Sequence, residues 1–438
     1  MMAGNEEIGV RPAQTTGPEP DDLDADPAPR AQPTRPRRRR TIGPLAYAWW
    51  TRNQHGLLIA TVGTIGLRLV TEWVGLVSQY GTSFPHQVAR HPSLLSQVWG
   101  HWDAGYYLSI AQYGYAGRTV GHGQAPGGIA FAPLYPMGIR LVHAVTFLNW
   151  ESSAEFLSAI ALFVSLVALH RLAVTHGGGD VGAASAMMLL AFPTAFFLLA
   201  PYPESLCLAL VTVALLCAES DRWLLAGLLA AASSMTKYYL VIVAVALCFE
   251  LWRRRSTTRA DGEGPRLVDT LGRYLKVALP TVVVFAAWMI YQQAHVGDPL
   301  AFAHAQAAHW DRHLAFPWTL AHRTASDLIH LRFLDTSTAS VTEFFDTVTI
   351  LLLGGAAVFA YLRINRTLGV LLGLGFCVFT FQALLSSVTR EVLVFAPLFL
   401  ALGTWTANRR WLERMLLVLF IPCGYFLIQR FVTGSFAG

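Results

Sequence analysis

The strongest constraint on this chain is a succession of long apolar blocks without charge. Val181–Pro203 and Thr367–Thr389 each run 23 residues with no Asp, Glu, Lys or Arg. At ~1.5 Å per helical residue, such a block matches a hydrocarbon core ~30 Å thick. Backbone inside that core must pair with itself, and blocks of this length do so as helices. Charged residues make up 13% of the chain, against about 25% in soluble domains. The expected fold class is therefore all-α, a polytopic membrane helical protein. A cytosolic enzyme, a secreted disulfide scaffold and a nucleic-acid binder inferred from a net charge of +5 are set aside. The five cysteines (207, 217, 248, 377 and 423) all lie in apolar segments and read as core thiols.

Basic clusters orient the blocks, because Arg and Lys mark the cytoplasmic side. Residues 1–50 read as a cytoplasmic tail, disordered over roughly its first 40 positions, where Pro, Asp, Ala and Arg leave too little apolar surface to offset chain entropy. Its run Arg37-Arg38-Arg39-Arg40 reads as a topology signal. Eleven spans follow, at 56–77, 154–173, 182–200, 204–217, 223–236, 238–252, 275–291, 345–362, 367–385, 392–406 and 412–431. The segment 130–148 carries Pro133, Pro136, Arg140 and His143 and reads as a helix lying on the membrane. Residues 223–252 read as two short pieces broken at Lys237, since a lysine at mid-membrane would cost ~3 kcal/mol or more.

This layout divides the chain into a transmembrane core at 51–292, which includes an extracytoplasmic loop at 78–153, then a second such loop at 293–343 and C-terminal spans at 344–438. Eleven of the 14 histidines fall in the two loops. Polar groups gathered on one face argue for a site at the water–lipid boundary. No internal repeat of the kind seen in inverted-repeat transporters is evident.

The chemistry-bearing stretch is His101-Trp102-Asp103-Ala104-Gly105-Tyr106-Tyr107, continuing to Gly114-Tyr115 and then to Phe131-Ala132-Pro133-Leu134-Tyr135-Pro136. A carboxylate at Asp103, partly dried by lipid and aromatics, can take a proton from a hydroxyl. Asp103 also fits as the cap of a helix beginning at Ala104, and the two roles are compatible.

Trp-Asp-x-x-x-Tyr-x-x-Ile-Ala-x-x-Gly-Tyr followed by Phe-x-Pro-Leu-Tyr-Pro resembles the signature of the PIG-V mannosyltransferase family, polytopic enzymes of the GT-C class. Tyr202-Pro203-Glu204-Ser205, the Gly227–Lys237 stretch, Gly297-Asp298-Pro299 with Gln306 and Trp310, and Thr389-Arg390-Glu391 resemble further elements of that family in order and spacing. The resemblance covers roughly Arg68 to Gly403. Lys237 stands where the family commonly has Arg, and the His-rich second loop matches nothing in it.

The resemblance implies a GT-C-like N-terminal core with interfacial helices in both loops. It implies transfer of mannose, with inversion, from a polyprenyl-phosphate-mannose donor to a hydroxyl of a lipid, glycan or protein acceptor on the outer face. Asp103 would be the general base and Glu204 a second carboxylate for sugar hydroxyls. Arg390 and then Lys237 would meet the phosphate, while His101, Trp102, Tyr106, Tyr107, Tyr135, Tyr202, Gln306 and Trp310 would line the substrate. Each also has a plainer reading: Glu204 as a residue favoured by a helix dipole, Lys237 as a snorkelling side chain, the aromatics as interface anchors.

Arg68 and Glu72, one turn apart inside the first span, fit either a functional pair or self-neutralisation. His309 and His313 suggest a metal, but spacing supplies no third ligand. No cofactor is expected, a divalent cation being the one exception weighed, and membrane lipids rather than nucleic acid are the other partners. The Lys-poor, Arg-rich chain looks bacterial, which implies a plasma membrane location. A flippase for lipid-linked sugars is the alternative, although its charges should sit near the bilayer midplane.

Overall fold

The computed structural model describes residues 42–78, 98–115, 126–260, 267–330, 338–435 and 437. Residues 1–41, and with them the expected disorder and the tetra-arginine, lie outside the described residues. The stretch assigned to the tail is already helical from Ile42, because α1 spans Ile42–Ser78. Trp49–Gly438 forms one compact unit. Among the described residues there is no strand, only an isolated bridge between Leu314 and Gln382.

Local signals set the helix boundaries. After α2 (Asp103–Tyr113) and α3 (Leu134–Thr146), α4 (Trp150–Gly177) starts where the Asn149 side chain accepts from Ser152 N at 2.7 Å. It stops at Gly178, whose φ of 86° an L side chain would resist. α3, only ~20 Å long, packs against α4.

The uncharged run Val181–Pro203 does not form one span. α5 (Gly179–Ala191) ends before Pro193, and the chain then folds into a buried turn with a 3-10 segment at Ala195–Leu198. The physical reason is proline, which restricts its own φ and that of the residue before it. α6 (Glu204–Glu219) begins after Pro203. α7 (Trp223–Ser234) and α8 (Val241–Ala260) are separate, with Lys237 between them, as the charge argument predicts. α9 (Leu267–Val296), α10 (Ala301–Trp310), α11 (Pro317–Ile329) and α12 (Thr338–Arg363) follow.

The second uncharged run also breaks. α13 (Arg366–Thr380) ends seven residues before Ser387, whose φ is 63°. A four-residue helix α14 (Val388–Glu391) and a 3-10 turn then lead into α15 (Ala396–Thr406) through a bend of 88°. The expected span at 392–406 is thus a broken one. α16 (Arg410–Val432) closes the chain.

Among the described residues five helices are long and apolar enough to cross a membrane, or six if the bent pair is one span. The protein is therefore a polytopic helical membrane protein. The other five expected spans coincide with α5, α6, α7, α8 and α13. These are short, ~18–24 Å of apolar helix each, and α8 closes on Arg253-Arg254-Arg255. Window hydropathy measures how apolar a segment is, not whether it runs straight.

Small residues bring helices close where the packing demands it. A Cβ on Gly227 of α7 would strike Lys276 O of α9, and one on Gly403 of α15 would strike Ser185 of α5. The main apolar core runs through α4, α5, α6, α13 and α15. A second, smaller cluster joins Tyr107, Ile110, Phe131, Tyr135, Met235, Trp288 and Ala305. It fastens α2 and the second loop over one end of the bundle.

Candidate active site

Asp103 is placed by its neighbours rather than by its own helix. Trp102 turns the chain at φ 58° and α2 begins at Asp103 itself. Tyr202 Oη donates to His101 O at 2.7 Å, tying that turn to the loop before α6. Burial pushes the His101 imidazole below its ordinary value. The Asp103 carboxylate, 19% exposed, meets Arg390 with Oδ2 at 2.9 Å from Nη2.

Arg390 is held from two sides. Asp346 of α12 accepts from Thr389 N at 2.7 Å and from Thr389 Oγ1 at 2.8 Å, and Thr194 Oγ1 donates to Thr389 O at 2.7 Å. The guanidinium lies over the rings of Tyr202 and Phe197, at 5.2 and 5.4 Å. Its Nε is 3.2 Å from Glu204 Oε1, and Nη2 is 3.5 Å from Glu391 Oε1.

Lys237 completes the network. Its Nζ donates to Glu204 Oε1 at 3.0 Å and pairs with Glu391, which also accepts from Tyr239 Oη at 2.6 Å. Lys237 is therefore not a snorkelling side chain. It is buried between two carboxylates, because two opposite charges at ion-pair distance offset desolvation better than a reach toward water from this depth. Glu204 is likewise corrected. It opens α6, as the dipole reading has it, but it is fully buried beneath Arg390 and does not face the cavity.

The cavity above this network has a volume of about 420 Å³, within the range of small-molecule sites. Of the expected residues, Asp103, Tyr107, Lys237, Gln306, Trp310 and Arg390 stand on its wall. Phe131, Tyr238, Tyr239, Phe302, Arg312 and Glu391 join them. Gln306 donates to Ala130 O at 3.1 Å and leaves its buried Oε1 without a partner.

The remaining expected residues stand back from the wall. Tyr135 is wholly buried, its hydroxyl 2.9 Å from Ser158 Oγ, so it packs the core and cannot stack on a sugar. Tyr106 stacks on Phe131 at 4.8 Å and supports that ring from behind. His101 packs edge-on against Phe431 at 5.6 Å, while Trp102 points outward and is half exposed. Tyr202 acts through Arg390 and the His101 turn.

Three residues received no role from sequence reasoning. Glu391 sits beside Arg390 in the quoted motif, and a second ionisable group in an apolar region was the available signal. Asp346 and Arg312 carried no such signal. His309 and His313 do not share a helix face, because α10 ends at Asp311, which takes φ 52° and lies 3.2 Å from His313. Among the described residues no three His, Cys, Asp or Glu cluster as metal ligands. In the Gly297-Asp298-Pro299 element, His304 hydrogen-bonds Asp298 at 2.6 Å and holds its carboxyl below the usual range.

Arg68 does pair with Glu72, at 2.8 Å, and equally with Glu155 of α4, with Trp99 donating to Glu72 at 3.1 Å. It is a structural bracket between α1 and α4. Comparison of the chain with family models, with curated proteins and with solved structures gave no match.

Proposed function

We propose that this protein is a membrane glycosyltransferase that moves mannose from polyprenyl-phosphate-mannose to a hydroxyl of a lipid, glycan or protein acceptor, with inversion. The observation that carries the reading is a part-exposed carboxylate, Asp103, on the wall of a cavity lined by both cations and aromatics. This wall offers two carboxylates, two guanidinium groups, the Lys237 ammonium and flat apolar faces. Those suit a hydroxyl, a phosphate and a sugar ring in turn.

In the step, the acceptor oxygen bonds to the sugar C1 as the C1–O bond to phosphate breaks. The bonding pair leaves with the phosphate, and the acceptor proton passes to Asp103. Asp103 and the nearby Glu391 also favour the positive charge that develops on the sugar. Arg390 aims the Asp103 carboxylate by holding one of its oxygens, and Tyr107, Phe131 and Trp310 exclude water around the ring. The resemblance supports mannose as the sugar and the outer face as the place of the site, and the Lys-poor, Arg-rich composition supports a bacterial plasma membrane.

The test is transfer of radiolabelled mannose from polyprenyl-phosphate-mannose in membranes holding the wild type or Asp103→Asn. The wild type should transfer label, and the Asn variant should fall by about 10²–10⁴-fold while remaining folded. Equal transfer by both would remove Asp103 as the base. No transfer to any acceptor, together with protein-dependent movement of the labelled lipid across the bilayer, would establish the flippase instead.

A further inference from the structure

The buried charges beneath the cavity do not balance by themselves. Asp103, Glu204 and Glu391 are three carboxylates, while Lys237 and Arg390 are two cations, and every member is ion-paired to another. The set carries one formal negative charge in excess. An anion approaching it meets repulsion that a poorly hydrated site screens weakly. A phosphate therefore needs a further cation.

Arg312 is that cation. It lines the same cavity and forms no ion pair within 4.0 Å among the described residues, although its charge reaches Glu391. Its Nη2 donates only a long 3.4 Å bond to Ser386 O, and its Nε is buried with no hydrogen-bond partner. A guanidinium N–H left without an acceptor is costly unless a ligand completes it. Arg390 Nη1 is likewise buried with no hydrogen-bond partner.

The backbone around Arg312 is anchored. The Asp311 turn lays the following residues along the strip between α13 and α14, with Ala315 N donating to Phe381 O at 3.1 Å and Ala383 N to His313 O at 3.3 Å. Next to Arg312 on this strip, Leu314, Phe316 and Trp318 are 89%, 60% and 62% exposed, and the last two rings stack at 4.3 Å. In a membrane protein such a ridge belongs against lipid. Unused phosphate donors thus border a path suited to an apolar chain.

We propose that Arg312 holds the headgroup of an aliphatic phosphate whose chain lies along Leu314, Phe316 and Trp318. The identity of that ligand as the sugar carrier rests on the transfer reading, but its binding does not require transfer. During transfer the phosphodiester becomes a phosphomonoester and the negative charge facing Arg312 rises by one, so Arg312 stabilises the leaving phosphate.

The test uses the full-length protein in neutral detergent and calorimetric titration with farnesyl phosphate, farnesol and inorganic phosphate. Farnesyl phosphate should bind the wild type. Arg312→Ala should weaken it by about tenfold or more, and Arg312→Lys by less. Farnesol binding should be the same in all three proteins. Arg323→Ala, which breaks an exposed pair with Glu343 at 3.0 Å, should bind as the wild type does.

If Arg312→Ala is not monodisperse, Arg312→Gln replaces it. Equal binding of farnesyl phosphate by the wild type and the neutral variants would overturn the assignment. Inorganic phosphate binding as tightly as farnesyl phosphate would overturn the apolar-chain part of it. Arg312-dependent binding without any mannose transfer would keep this site and remove the transferase reading. Transfer that is indifferent to Arg312 would overturn the identity of the bound phosphate as the sugar carrier.

Discussion

Two of the ion-pair clusters among the described residues lie one at each end of α6 and α8, and they are built on different terms. At the far end from the cavity, both oxygens of Glu250 are used. They accept from Arg253 at 2.9 and 2.7 Å, from Arg254 at 2.6 Å, and from Thr367. Arg254 also reaches Asp221 at 3.0 Å and lies over the Trp223 ring. Two cations meet two carboxylates, and its small adjoining pocket contains no buried polar atom without a partner.

At the cavity end three carboxylates share two cations, while Glu204 Oε2, Arg390 Nη1 and Arg312 Nε are left without partners. A closed network needs nothing more and serves as a staple. An open one lowers stability unless something arrives to complete it, so unsatisfied groups mark the working end.

That contrast can be broken most sharply at Lys237. Lys237→Met leaves Glu204 and Glu391 buried and facing each other, so it should cost ~3–5 kcal/mol. The expected result is a large drop in thermal midpoint in detergent, or loss of monodisperse protein. A midpoint close to wild type would show that the network is better hydrated than its burial implies.

Arg390→Lys is the next largest effect and separates charge from geometry. Lysine keeps the cation but cannot hold Asp103 and Glu204 from one planar group. Transfer should fall about 10²-fold, the scale of an ångström's misplacement of a reacting group, with a much smaller loss of stability. Activity near wild type would show that only charge matters there.

Arg254→Ala sharpens the comparison from the other side. Its side chain is about a third exposed, and such pairs contribute ~0–1 kcal/mol. A small change in thermal midpoint with unchanged transfer is expected, and a clear loss of transfer would mean that the two ends are coupled.

Much of the local structure was legible because it depends on neighbours in the chain. The break at Lys237, the short amphipathic α3, the Arg68–Glu72 pair and the placement of Asp103 at a helix start all follow from local rules. The span count was less legible, since Pro193 and the Ser386-Ser387 turn interrupt blocks that hydropathy treats as continuous. The role of Glu204 could not be read, because its position alone fits a wall, a cap or a buried partner. Arg312 lay in a His-rich loop that matched no pattern, and only the count of charges around the cavity gives it meaning.

The amino-acid sequence by itself determined that this chain lives in a membrane and which polar residues are too costly there to be incidental. Those are consequences of transfer free energies and backbone chemistry, which act residue by residue. Tertiary structure alone decided which charges meet. Lys237 reaches a carboxylate 154 positions away and Arg312 a carbonyl 74 positions away. Pairings at such distances follow from how helices pack, because a cation in low dielectric is defined by the partner that packing brings to it or leaves out.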